Sequence, residues 1–235
     1  MATGKKETYW IPLADLMTVL MVIFLFISIA YMIEVKSKQV ERDKIFEDFK
    51  ETKVDLLKEL QTEFKDDFRK DKWNAVLDKD LSIKFVNENV LFDYNKSDLK
   101  PEFQTILTDF FPRYLNILMK PKYKDKIAEV RIEGHTDIQG DYIYNLQLSQ
   151  DRTRNVMKFL LNLDYYKNLS STDQNKLRFW LTANGLSFGR TLDADGNLTE
   201  YSNKPPDDLK CRRVEFRIVT TSDKIVEEAI KQISK

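Results

Sequence analysis

The most apolar stretch of the chain runs from Ile11 to Ile33 and carries a single charged side chain, that of Asp15. Its 23 residues are enough to cross a hydrocarbon core of about 30 Å as an α-helix that rises about 1.5 Å per residue. A cleaved signal peptide has a shorter apolar core and ends in a small-residue cleavage site, and this stretch has neither feature. The pattern therefore predicts a retained transmembrane helix over residues 11–33.

Residues 34–80 form a distinct segment in which 26 of 47 residues are charged and none is glycine or proline. Apolar residues recur within it at helical spacing, several of them eleven positions apart, which predicts an amphipathic juxtamembrane helix. Such a helix either self-associates as the stalk of a dimer or packs on the domain that follows it. The apolar stripe consists of Ile45, Phe46, Phe49, Leu56, Leu57, Leu60, Phe64 and Phe68.

Residues 81–235 change to an alternation of short strands and helices that is typical of an α/β domain, and they are numerous enough to bury a core of their own. Pro101 begins one amphipathic helix, residues 145–163 carry a second helical stripe, and Ile225, Ala229 and Ile230 predict a short closing helix. The order of elements predicts a mixed sheet in an α+β sandwich, covered by helices on one face. The predicted strands are residues 81–86, 130–134, 179–183 and 213–220.

The overall charge argues against one class of partner. The chain has 38 basic and 38 acidic residues and a formal net charge of 0, so it offers no electrostatic attraction for nucleic acid. Its single cysteine, Cys211, excludes an internal disulfide framework, and leaves open a buried thiol or a disulfide between subunits. Lysines and arginines flank the apolar stretch on both sides, so these charges do not fix its orientation.

Asp15 lies within the predicted membrane helix, after Trp10 and four apolar residues. A carboxylate in hydrocarbon costs about 3 kcal/mol on insertion scales, and such groups usually face a partner or a water-filled path. We therefore expect Asp15 to belong to a proton or ion relay, whose path needs other subunits because one helix cannot enclose a pore. The alternative is an interfacial residue that stabilises the start of the helix through its macrodipole.

A loop and the helix after it carry a motif with a known counterpart. Gly134-His135-Thr136-Asp137-x-x-Gly140, followed by Asn145, Leu148 and Arg152, resembles the peptidoglycan-binding domain of the OmpA and MotB family. Stem peptides of peptidoglycan contain diaminopimelate, which presents an ammonium group close to carboxylates. The resemblance implies that Asp137 accepts from the ammonium and Arg152 binds a carboxylate, with Asn145 and Leu148 shaping the loop and helix start. An internal salt bridge between Asp137 and Arg152 is the structural alternative.

The membrane segment has a counterpart as well, because Ala14-Asp15-Leu16-Met17-Thr18 is similar to the transmembrane signature of MotB-type stator subunits. This resemblance implies a single-pass protein of the bacterial inner membrane. Residues 1–10 would form a cytoplasmic tail, and the C-terminal domain would lie in the periplasm. It also implies a homodimer inside a ring of a multi-span MotA-like or ZorA-like membrane protein.

The length of the chain and its insert at residues 191–210 are similar to those of the ZorB family, the stator-like subunits of Zorya anti-phage systems. Thr191 stands where the wider family usually has proline, and Cys211 where an asparagine usually precedes the two arginines. The resemblance implies a peptidoglycan-anchored subunit of a proton-driven motor that serves anti-phage defence. A flagellar MotB-type stator subunit and a passive OmpA-like wall tether are the alternatives.

No catalytic or metal site is expected from the sequence. His135 is the only histidine and lacks the neighbouring cysteine or second histidine of a zinc site, so the resemblance gives it a role in supporting the binding loop. The run Asp193 to Asn197 does not reproduce the twelve-residue calcium loop and predicts a solvated turn. No serine or cysteine has a recognisable nucleophile context. We therefore expect a binding protein without a cofactor rather than an enzyme.

Overall fold

The computed structural model describes residues 10–86, 88–221 and 223. The chain divides into two compact units, Met1–Asp48 and Phe49–Lys235. The predicted tail up to residue 9 and the predicted closing helix around residues 225–230 lie outside the described residues.

The described part of the first unit, from residue 10 onward, is helical. Helix α1 spans Trp10–Phe64, and within the described chain its segment Ala14–Lys44 is the one stretch long and apolar enough to cross a membrane, with a mean hydropathy of 2.7. Large apolar side chains along it, such as Leu16 and Phe24, are exposed. So much exposed apolar surface is unfavourable in water and favourable in lipid, as expected for the transmembrane helix predicted from the sequence.

The last turns of α1 belong to the second unit and pack into its core. Leu56, Leu60 and Phe64 are all buried, and their spacing of four residues places them on one face of the helix. Of the two arrangements left open by the sequence, the structure shows this part of the stripe packed on the domain. Closer to the N-terminus of α1, Phe46 of the same stripe is exposed.

Helix α1 ends at Phe64, earlier than the prediction of a helical segment to residue 80. The chain turns back here, and Phe68 and Trp73 pack against Phe64 with ring centroids 5.4 Å and 5.8 Å from it. Aromatic contacts of this kind add to the gain from apolar burial. Asn74 then adopts a positive φ of 48°, and the next residues form a short strand that the sequence pattern did not predict.

Arg113 fastens the end of α1 to the domain. Its guanidinium lies 2.8 Å from Glu63 Oε1 and 2.9 Å from Asp67 Oδ2, and its Cζ is 4.8 Å from the centroid of the Phe64 ring. A half-buried network of charge-assisted bonds and stacking is stronger than an isolated surface pair. The helix end is therefore held by polar contacts as well as by its buried stripe.

The described residues of the second unit form a mixed sheet of five strands in the order β1-β2-β5-β3-β4. All neighbouring strands pair antiparallel except β3 and β4, which are parallel. This is the predicted fold class. The strands are β1 (Ala75–Leu77), β2 (Ser82–Phe85), β3 (Ile127–His135), β4 (Leu181–Gly185) and β5 (Arg213–Thr220). The further helices are α2 (Glu88–Leu91), α3 (Pro101–Leu118), α4 (Tyr142–Asn162), α5 (Asp164–Lys167), α6 (Ser171–Trp180), α7 (Thr199–Ser202) and α8 (Asp208–Cys211).

One strand begins later than predicted. Phe179 and Trp180 are the last residues of α6, and β4 starts at Leu181. The Ser170 hydroxyl caps this helix by accepting from the backbone N–H of Asp173 at 3.1 Å, and Trp180 is buried at its other end. The aromatic pair suggested a strand because a short apolar run cannot distinguish a strand from a buried helix end.

The two faces of the sheet differ in chemistry. On one face Phe85 and Phe216 pack against Phe110 of α3, with ring centroids 5.2 Å and 5.1 Å away. On the other face strand alternation places charged side chains, among them Glu133 of β3 and Glu215 of β5, which are direct cross-strand partners. The helices thus cover the apolar face, as the sequence predicted.

Candidate functional site

A cleft of about 320 Å³ lies between the end of β3 and the start of α4. The structure brings together here all four residues that the sequence assigned to peptidoglycan binding. The lining includes Asp137, Asn145, Leu148 and Arg152, together with Tyr94 and Arg212.

The loop between β3 and α4 is held by its own polar side chains. The Asp141 side chain caps α4, accepting from the backbone N–H groups of Ile143 and Tyr144 at 2.9 Å and 3.0 Å. The amide of Asn145 donates to the Gln139 carbonyl at 2.8 Å. Gly140 has a φ of +91°, a conformation that favours glycine. Asn145 therefore orders the loop from the first turn of the helix.

The carboxylate of Asp137 is buried at the wall of the cleft. One of its oxygens accepts from the backbone N–H of Gln139 at 3.0 Å, and the other lies 2.5 Å from Arg212 Nη1. Sequence reasoning missed Arg212 as part of the site. The Arg212–Arg213 pair was visible in the sequence, but its position beside Asp137 depends on the pairing of β5 with β3, in which His135 lies opposite Arg213.

Arg152 projects from α4 toward the loop that follows α2. Its Nε donates to the Lys96 carbonyl at 2.9 Å, and its Cζ is 4.8 Å from the centroid of the Phe92 ring. Stacking and backbone contacts pre-orient the guanidinium. The cleft thus holds a carboxylate and a positioned guanidinium, the two groups that a zwitterionic ligand such as diaminopimelate requires.

Close packing fixes α4 on the sheet. A Cβ on Gly134 would lie 2.8 Å from the Ser149 carbonyl oxygen, and one on Gly185 would lie 2.3 Å from the backbone nitrogen of Gln150, so both positions need glycine. The side chain of Gln150 also pairs with the edge of β4, accepting from Gly185 N at 2.8 Å. Because these contacts hold α4 against the sheet, they also position Asn145, Leu148 and Arg152 relative to it.

Behind the cleft lies a buried charged cluster. Potential ligand atoms of Glu133, His135 and Glu215 lie within 4.8 Å of one another, an arrangement that sequence neighbours alone did not suggest. Arg213 Nε donates to Glu215 at 2.6 Å, and Arg217 lies within 3.6 Å of both carboxylates. These guanidinium groups already neutralise the acids and would repel a divalent cation. We therefore assign the cluster to structure.

The cluster lowers the pKa values of His135 and Glu215. Burial, the largest influence, lowers the pKa of His135 well below its usual value, and the charge of Arg213 lowers it further. Burial alone would raise the pKa of Glu215, but nearby positive charge, above all that of Arg213, brings this pKa down to about 2. The folded protein thus holds a neutral imidazole beside an ionised carboxylate at neutral pH.

This neutral histidine predicts a pH-dependent stability. The unfolded chain protonates its only histidine near pH 6.5 whereas the folded chain does not, so stability is complete above about pH 6.5 and falls below it by up to about 1.4 kcal/mol per pH unit. Urea unfolding of residues 49–235 should show this loss between pH 6.5 and 5.5, and His135→Gln should lack it. Equal pH slopes in the two proteins would contradict the assignment.

Two other sequence features have structural roles. Asp193 Oδ1 accepts from the backbone N–H groups of Asp195 and Asn197, both at 2.9 Å, and Gly196 has a φ of +87°. This is a side-chain-stabilised turn. Cys211 is buried, and its sulfur accepts from the backbone N–H of Leu192 at 3.3 Å.

Comparison with known proteins identifies relatives along the whole chain. Residues 91–191 match the OmpA family. The chain is 35% identical over 240 residues to the Zorya protein ZorB of Escherichia coli strain Crooks, covering 97% of this chain and 94% of that protein. A ZorB protein of a second Escherichia coli strain is 32% identical over 192 residues, covering 80% and 76%. Among solved structures, a MotB-like protein from Desulfovibrio vulgaris shares 21% identity with a TM-score of 0.46, covering 72% of this chain and 95% of that one.

Proposed function

Because this chain belongs to the ZorB family of Zorya proteins, we propose that it is the peptidoglycan-anchored stator subunit of a proton-driven motor in the bacterial inner membrane. In this proposal α1 crosses the membrane with its N-terminus in the cytoplasm, and the OmpA-like unit binds the cell wall in the periplasm. The motor would serve anti-phage defence, and the chain would act by binding rather than by catalysis.

The observation that carries the proposal is the position of Asp15. It is exposed on the membrane-length part of α1, where a carboxylate costs about 3 kcal/mol unless it has a partner or water. A dimer inside a ring of multi-span subunits would supply both. Protonation would neutralise Asp15 and release would restore its charge, so its attraction for polar groups of the ring would change twice in each cycle.

The coupling ion proposed is the proton. Sodium requires several oxygen ligands, whereas the apolar stretch offers few beyond Asp15, namely the hydroxyls of Thr18 and Ser28. The Thr18 hydroxyl already donates to the Ala14 carbonyl at 2.8 Å. A single carboxylate is sufficient to carry a proton, because protonation needs no coordination shell.

The anchor proposed is the cleft beside α4. Asp137 would accept from the ammonium of diaminopimelate and Arg152 would bind its carboxylate, with Asn145 and Leu148 shaping the loop and the start of the helix. Reaction torque would then pass through the domain into the cell wall. The contacts of Arg113 with the end of α1 support this path, because they fasten the helix end to the domain that carries the cleft.

Two alternatives use the same fold. A flagellar MotB-type stator would couple the same chemistry to a different rotor, and a passive wall tether would use α1 only as an anchor. Asp15 favours a stator over a tether, since a tether has no use for a carboxylate that lipid penalises. Sequence identity over nearly the full chain favours the ZorB family over flagellar proteins.

The assembly gives a direct test. One apolar helix with one carboxylate cannot enclose an ion path, so we expect two copies of this chain in each complex with a multi-span membrane protein. Native mass measurement of the complex, purified through a tag on this chain in mild detergent, should give two copies together with a ring of the partner. A single copy, or a chain that purifies without any multi-span partner, would contradict the stator proposal.

A further inference from the structure

The first turn of α4 carries three large, exposed side chains. Tyr142, Ile143 and Tyr144 are 43%, 67% and 51% exposed, and none of the residues of this turn is acidic. Helix starts favour short polar and acidic side chains, which suit the free N–H groups and the positive end of the macrodipole. Asp141 already caps those N–H groups from outside the turn. The helix gains nothing in water from three adjacent bulky side chains, and such a patch is typical of a surface that another molecule covers.

The same turn is fixed to the loop that follows β4. The ring of Tyr142 meets the ring of Phe188 edge-on, with centroids 5.1 Å apart and an angle of 86° between the planes. The Tyr142 carbonyl also accepts from the Ser187 hydroxyl at 2.9 Å. A ring that is already held in place loses little conformational entropy when a ligand packs on it. We call Tyr142, Ile143, Tyr144 and Phe188 the aromatic rim.

The aromatic rim borders the cleft beside α4. Tyr144 lines that cleft together with Asp137 and Arg152, so the rim and the cleft share one wall. Because consecutive residues of an α-helix rise only about 1.5 Å each, the backbones of Tyr142 and Ile143 lie within about 5 Å of this wall. A ligand that extends from the cleft past Tyr144 therefore meets the rest of the rim.

We propose that the aromatic rim binds the glycan strand of peptidoglycan while the cleft holds the stem peptide. This inference rests on the proposed wall-binding function and deepens it. The stem peptide is joined to N-acetylmuramic acid, and two residues separate this sugar from diaminopimelate, a reach of about 10 Å for an extended chain. Sugar rings present C–H groups and N-acetyl methyl groups that pack on aromatic rings, while their hydroxyls stay in water. Tyrosine suits such a ligand because it has an apolar body and a polar tip.

The test compares one peptide with and without its sugars. The full-length chain in mild detergent is titrated by calorimetry with the tripeptide that ends in diaminopimelate, and with the same tripeptide attached to the disaccharide of N-acetylglucosamine and N-acetylmuramic acid. In wild type the disaccharide should tighten binding about tenfold. Tyr142→Leu, which keeps an apolar side chain beside Phe188 but removes the ring, and Ile143→Ser should each lose most of that gain. Neither variant should bind the tripeptide more weakly, because neither residue lines the cleft.

The matched control is Phe179→Ser, which removes a ring that is 76% exposed at the end of α6 and should keep the full gain. The inference is overturned if the disaccharide adds no affinity in wild type, if both rim variants keep the gain, or if they weaken both ligands alike. Rim variants that keep the gain but change the number of copies in the complex would assign the rim to a contact between copies instead. Failure of the wild-type chain to bind either ligand or purified peptidoglycan would contradict the proposed function itself.

Discussion

Replacing Asp15 with asparagine is expected to abolish activity while the protein still inserts and assembles. Asparagine keeps the size and polarity of the side chain but cannot titrate, so no group remains at this position to bind and release the proton. It also removes a charge that costs about 3 kcal/mol in lipid, so assembly should be retained. The measurement is protection of cells from phage, scored as plaque counts, with the chain expressed beside its multi-span partner.

The control for this prediction is Asp15→Glu, which changes the length of the side chain and keeps a titratable carboxylate. It should retain part of the protection that Asp15→Asn loses, at equal protein levels and equal recovery of the partner on purification. Full protection by Asp15→Asn at normal levels would remove the ion relay from the mechanism and leave the passive tether. Protection that follows external sodium at a fixed proton motive force would replace the proton with sodium.

The sequence predicted an N-terminal apolar helix followed by a further helical segment and a mixed-sheet domain because its signals are periodic and long. The apolar stretch up to Ile33 is long enough to cross a membrane and lacks the cleavage site of a signal peptide. Alternation in Arg213 to Thr220 specified the last strand correctly. The fate of the amphipathic stripe was not predictable in the same way. Leu56, Leu60 and Phe64 give a helix one apolar face, but whether that face meets a second copy or the same chain depends on tertiary contacts such as those of Arg113.

In the candidate site, too, some residues were predictable from local sequence and others depend on tertiary contacts. A local motif placed Asp137, Asn145, Leu148 and Arg152 together, because a strand, a short loop and a helix start bring near neighbours in sequence to one cleft. Arg212 reaches the site only through strand pairing across 75 positions of chain. His135 likewise meets Glu215 only through the pairing of β5 with β3, whereas its other carboxylate neighbour, Glu133, lies two residues earlier on β3.

Removing the Arg152 side chain is expected to abolish capture of the chain by purified peptidoglycan. Losing one partner of a charge-assisted pair costs about 2 kcal/mol or more, which is at least about a tenfold loss of affinity. Arg152→Ala should therefore leave the full-length protein in the supernatant when peptidoglycan is sedimented. The matched control is Arg154→Ala on the same helix, an exposed arginine that pairs with Asp151 at 2.9 Å and should sediment as wild type does.

A thermal melt of the same proteins separates binding from folding. Arg152→Ala removes the stacking on Phe92 and the hydrogen bond to the Lys96 carbonyl. We expect the loss of these contacts to lower the melting temperature only slightly, whereas the loss of sedimentation with peptidoglycan should be nearly complete. A large drop in melting temperature would show that the guanidinium is a structural element of the cleft. Sedimentation of Arg152→Ala at the wild-type level would remove this grip from the proposed anchor, and reaction torque would then need another route to the cell wall.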